Sequence, residues 1–267
     1  LTCFGDPSWV LKEWAEVFQN RMVLFTIIII PLIFVALPLV TLFFTGQEMG
    51  ADVPGGVADV PAEFLSMCGA EMTAGECMQI YLVNMYLLMF MMMPVIIPVT
   101  IAAYSVVGEK TTHSLEPLLA TPISTFELLA GKSLAAAIPA IVVGWISFGL
   151  FLLALPLIGV SHVVVGYILG PTWLLGVLVA GPLMAIAAVN FALFVSSRVN
   201  DPRVAEQISV LLVIPILGAL FAQLAGVIVI DIFVMLSFIG AMALFDIGMV
   251  YLGVTIFQRE NILTRWK

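Results

Sequence analysis

Charge is what this sequence of 267 residues has least of: only 10% are Asp, Glu, Lys or Arg, against about a quarter in an average soluble domain. A water-soluble globular fold is thereby excluded. With 63% hydrophobic residues and a mean hydropathy of +1.20, no soluble core could hide so much apolar surface. Histidine and cysteine are scarce as well, at two and three residues. His113 and His162 fall on opposite sides of the expected membrane, so no paired-His metal site forms within one chain, and no H-E-x-x-H or G-x-S-x-G motif occurs. No metal centre and no catalytic residue are expected. Gly131-Lys132-Ser133 copies the end of a phosphate-binding loop, but that motif needs a glycine five positions before Gly131, where Phe126 stands. The chain is therefore not expected to bind or hydrolyse a nucleotide itself, and it is read as no enzyme.

Long apolar runs are what it has instead. Stretches such as Phe25 to Pro31 and Val210 to Leu217 are apolar on every side, which excludes the alternating strands of a membrane β-barrel. A helical span needs about 20 mostly apolar residues. The nine basic residues fall into four groups: Lys12 and Arg21; Lys110 and Lys132; Arg198 and Arg203; Arg259, Arg265 and Lys267. Basic residues mark cytoplasmic loops. Each base-free stretch between groups (22–109, 133–197, 204–258) is long enough for two crossings and too long for one. The expected fold is an all-α polytopic membrane protein, a single transmembrane domain over 1–267. Six transmembrane helices form three hairpins at 22–45, 79–105, 133–158, 171–197, 207–226 and 231–257, with both termini cytoplasmic.

This topology resolves the net charge of −8. The cytoplasmic bases are balanced by acids on the same side. Glu48, Asp52, Asp59, Glu63, Glu71 and Glu76 lie in one outer loop, 46–78, which has no base. Asp231 and Asp246 lie in the last hairpin. No nucleic-acid partner is expected of such a chain. Cys3 is placed in the cytoplasm, whereas Cys68 and Cys77 share the outer loop and can form a disulfide if that face is oxidising. The first 21 residues lack the basic start and short apolar core of a cleavable signal peptide.

Residues 6–21 read as an amphipathic helix on the cytoplasmic membrane surface. Asp6 caps it, Pro7 suits its first position, and Val10, Trp14, Val17 and Phe18 recur at helical spacing. It serves as a membrane anchor or as a partner contact. The expected spans contain Pro31, Pro38, Pro94, Pro98, Pro139, Pro156, Pro182 and Pro215, which lipid-embedded helices tolerate. The apolar connection Gly159 to Gly170 is expected to follow the outer interface, and the last hairpin to turn tightly near Gly226 to Asp231. The methionines Met85, Met89, Met91, Met92 and Met93 offer thioethers to Cu(I) or simply pack, and the lack of neighbouring His or Cys favours packing. Asp246 sits close to mid-depth of the last span, where a lone carboxylate usually faces a cavity or a partner. It is either a functional acid, contacting a cation or substrate or gating with a proton, or a protonated or hydrogen-bonded acid at a dimer interface.

The loop 107–132, VGEKTTHSLEPLLATPISTFELLAGK, carries the most information. Thr111, Thr112 or Ser114 can start a helix of about two turns that presents Leu115, Leu118 and Leu119 on one side. Thr121-Pro122 stops it, and Ser124 with Glu127 has the capping-box form that starts the next helix. A short helix with an apolar stripe between two spans suits the groove of a soluble partner. Its other reading is a helix resting on lipid headgroups.

The series Gly108-Glu109-Lys110, Ser114-Leu115-Glu116, Leu118-Leu119, Thr121-Pro122-Ile123-Ser124, Glu127-Leu128-Leu129 and Gly131-Lys132 resembles the cytoplasmic loop of type-2 ABC transporter permeases. Ser196-Ser197-Arg198 with Asp201-Pro202-Arg203 and Ala205-Glu206-Gln207 is similar to that family's second cytoplasmic loop. Phe257-Gln258-Arg259-Glu260, with Ile262-Leu263 and Arg265-Trp266, resembles its tail, here 258–267. The match covers essentially the whole chain, although the segment between the last two spans is shorter than the family often has. The resemblance implies the transmembrane permease subunit of an exporter that moves a hydrophobic or amphipathic substrate (drug, lipid, polymer precursor or ion) outward. It also implies a second permease chain, identical or similar, and two ATP-binding subunits that carry the ATP and Mg. The helix around Ser114 to Ala120 would be the coupling helix, with Leu115, Leu118 and Leu119 in apolar contact and Glu109, Lys110 and Glu116 as polar partners. Residues 6–21 would be the connecting helix. A cell-membrane, prokaryotic setting is expected. The alternative is an ATP-independent channel or secondary transporter.

Overall fold

The computed structural model describes residues 21–48, 72–111 and 125–256, and among them there is no strand. Helix α1 is Arg21–Glu48, α2 is Ala74–Thr111 and α3 is Thr125–Ala154. A 3-10 turn at Pro156–Ile158 leads to α4 (His162–Ile168) and α5 (Pro171–Leu175). A single π turn, Gly176–Ala180, runs into α6, Gly181–Arg198. Then come α7 (Pro202–Val210), a 3-10 turn at Leu211–Val213, α8 (Ile214–Leu224) and α9 (Ile232–Ile256).

Six stretches are long and apolar enough to cross a membrane: Val23–Gly46, Ala74–Tyr104, Ala130–Ile158, His162–Arg198, Pro202–Leu224 and Ile232–Gly253. They correspond one to one with the expected spans. The second begins earlier than residue 79 because Thr73 and Glu76 form a capping box. The Glu76 carboxylate accepts from the Thr73 amide at 3.0 Å, and the Thr73 hydroxyl oxygen accepts from the Glu76 amide at 3.3 Å. The fourth differs most. Its apolar approach was expected as a connection along the interface, but Ser161 caps it as α4, and Val164 and Ile168 are fully buried in the core.

Five prolines of the first three spans do not break them, since α1, α2 and α3 run through Pro31, Pro38, Pro94, Pro98 and Pro139 as continuous helices, whereas Pro156 opens the 3-10 turn that closes the third span. The breaks within the body of a span fall in the fourth and fifth. A tight turn with Gly226 at φ 71° joins α8 to α9, and the Asp231 carboxylate caps α9 by accepting from the Val234 amide at 2.8 Å.

Helix α2 is the centre of the bundle, packed by α6, α1, α3, α7 and α8, while α9 packs mainly on α6. Most of the apolar stretch of the second span is buried, against a small part of the last. Both are apolar all round, so apolarity does not decide which is inside. Small and polar side chains do, because close helix approach in lipid relies on them. Helix α6 buries Ala185, Ala187, Ala188 and Ala192 completely, and α2 buries Asn84 and Thr100. The outer faces of α1, α8 and α9 expose Phe25, Leu32, Phe221, Phe233 and Leu244, as lipid-facing surfaces do.

Candidate functional site

Two helices frame the loop in which the sequence reading expects a coupling helix. Helix α2 ends at Thr111 and α3 begins at Thr125, immediately after Ser124, as the capping-box spacing predicts. Glu109 and Lys110 belong to the last turn of α2. Ser114, Leu115, Glu116, Leu118 and Leu119 lie outside the described residues, as do residues 1–20, Cys68 and residues 257–267. What the structure supplies is the mounting. The loop hangs from the most buried helix and from one of its packing partners, so a force on it acts on the core directly.

The same end of the bundle is tied across helices by polar pairs. The Thr100 hydroxyl of α2 donates to Glu206 of α7 at 2.7 Å, and the Ser133 hydroxyl of α3 donates to Asn190 Oδ1 of α6 at 2.9 Å. Gly131, Lys132 and Ser133, the fragment that copies a phosphate loop, are buried inside α3. A helix interior offers no row of free amides for a phosphate.

A second polar cluster lies at the opposite end. Asn84 of α2 donates through Nδ2 to the Tyr167 hydroxyl of α4 and, at 3.3 Å, to the Ile230 carbonyl. Its Oδ1 accepts from Gln223 Nε2 of α8. Asn84 is wholly buried and Gln223 is 2% exposed, so one amide side chain links the second, fourth and fifth spans to the start of the last. Sequence reasoning passed over this cluster. The available signal was an amide in each of two otherwise apolar spans, but the partnership between them is tertiary.

Asp246 lies on the inward face of α9, at helical spacing from Met235, Met242 and Met249. It is 7% exposed, and neither carboxylate oxygen has a hydrogen-bond partner. Among the described residues it is the only ionisable side chain buried in that way. Cys77 is buried and held in a disulfide whose other half lies outside the described residues. His162 is exposed on α4, and the described residues contain no group of three metal-ligating side chains.

Six apolar helices, and no strand among the described residues, define a multi-pass membrane protein. The sequence model of the ABC-2 family transporter protein family matches residues 9–265, and the chain belongs to that family. No curated protein and no solved structure matches it.

Proposed function

We propose that the chain is the transmembrane permease subunit of an ATP-binding cassette exporter. In this reading it pairs with a second permease chain, binds two separate ATPase subunits that hold the ATP and Mg, and moves a hydrophobic or amphipathic substrate outward. It sits in a prokaryotic cell membrane with both termini in the cytoplasm, where the basic residues are concentrated. The observation that carries the proposal is the attachment of the motif-bearing loop to α2 and α3. Closure of the ATPase subunits would move their grooves. A short helix seated in each groove through Leu115, Leu118 and Leu119, with Glu109, Lys110, Ser114 and Glu116 around it, would pass that movement to the bundle centre. Asp246 is a candidate substrate or cation contact, and Cys68 is the proposed disulfide partner of Cys77.

The test is transport of a lipophilic dye in inside-out vesicles from the native host. Uptake should require hydrolysable ATP and be abolished by Leu118→Asp at unchanged permease abundance. Uptake that proceeds equally without ATP would favour the channel or secondary-transporter reading.

A further inference from the structure

The fourth span contains a break that hydrogen-bond bookkeeping explains. At the π turn the Gly181 amide donates to the Gly176 carbonyl, five residues back. Continuing that register by one residue would pair the amide of residue 182 with the Val177 carbonyl. Residue 182 is proline and has no amide hydrogen. A carbonyl facing hydrocarbon without a donor is costly. The neighbouring helix supplies the donor: Trp145 Nε1 of α3 donates to the Val177 oxygen at 3.2 Å.

Both sides of the π turn pack on α2 and α3, and they differ in what else they hold. On one side Trp173 of α5 is fully buried in a ring cluster, with ring centres 5.8 Å from Phe148, 6.1 Å from Phe151 and 5.7 Å from Phe90, which keys α5 to α2 and α3. On the other side α6 is the main support of α9. The turn itself is thin. A Cβ at Gly176 would stand 3.0 Å from Leu87 Cδ1 and 3.2 Å from Met235 Cε, so only glycine fits there without displacing a neighbour. Beside it lies a small apolar cleft of about 20 Å³, open on one side and lined by Pro94, Ala140, Gly144, Trp145, Gly181 and Pro182. A cleft of that size leaves room for a small shift of the turn in an otherwise close-packed interior.

We propose that the Gly176–Ala180 turn is a hinge on which α4 and α5 swing against α6, and that the Trp145 to Val177 hydrogen bond is its latch. Single π turns that interrupt helices are frequent at functional positions. Here one register can convert to another because the proline has already removed the bond that would lock either. The hinge belongs to the chain itself and is independent of what drives it.

The test uses the full chain in lipid nanodiscs, with spin labels on introduced cysteines at Leu169 and Arg198, both exposed, and the native cysteine outside the Cys77 disulfide replaced. Pulsed electron paramagnetic resonance reads the distance distribution between them. Trp145→Phe should broaden it with a new longer-distance population. Pro182→Ala restores an amide at 182, and should narrow it without lowering the unfolding temperature. In the Pro182→Ala background, Trp145→Phe should then have no effect on the distribution, a non-additivity expected only if both act on the same carbonyl. Identical distributions in the parent and both single variants, or additive effects in the double variant, would overturn the hinge. If Trp145→Phe fails to fold, the Pro182→Ala comparison with the parent still decides.

Discussion

Asn84 shows how much one side chain can organise in a medium where every helix is apolar. It makes three hydrogen bonds to three other segments, and its replacement strands buried partners rather than merely removing a contact. Asn84→Leu should lower stability by about 1–3 kcal/mol, the usual range for leaving buried polar groups unpaired. Tyr167→Phe removes one of those bonds and should cost only about 0.6 kcal/mol, the average for interhelical bonds in lipid. Thermal unfolding in detergent, followed by the two variants side by side, checks the order. Asp246 predicts the opposite sign. Because its oxygens have no partner among the described residues, Asp246→Leu should leave the unfolding temperature of the single chain unchanged or raise it. A large loss of stability would show that the acid is paired after all. Neither residue's surroundings were legible in the sequence. Asn84 is one polar letter among apolar ones, and Asp246 is recognisable only as an acid at mid-depth.

At the scale of the element, legibility followed locality. Six crossings could be read because run length and the position of Lys and Arg are local properties, and each expected span has its counterpart. The start of α3 was legible in Ser124 and Glu127. The start of α2 carries the same signal in Thr73 and Glu76, but the acidic stretch before it drew that region into a loop. Thr73→Ala should destabilise the first turn of α2 by about 1 kcal/mol, as loss of a helix cap does. Faster amide exchange confined to residues 74–77 would confirm it, and unchanged exchange there would show that packing alone holds the turn. The fourth span resisted reading for a different reason. Gly176, Gly181 and Pro182 announce a weak point, but whether the chain bends, and in which register, depends on the Trp145 indole on another helix and on the space beside Pro94.

At the scale of the whole molecule, what the sequence could not say is which helices lie inside. Lipid accepts an apolar face as readily as a protein core does, so α2 and α9 look alike in composition while one is the hub and the other a rim. Knowing that α2 is the hub gives the loop between α2 and α3 its significance, since the loop continues directly from it. Both ends of α2 are then under load. One end carries the motif that would meet a motor, and the other holds the Asn84 cluster that ties four segments together. The chain's membership of the ABC-2 transporter family and this mounting agree with each other. The most direct test is copurification of the tagged chain from its native membrane. An ATP-binding subunit should accompany the parent protein and be lost on Leu118→Asp, while the permease itself remains folded and abundant. Purification without any ATPase, or retention of that subunit by the Leu118→Asp variant, would contradict the account.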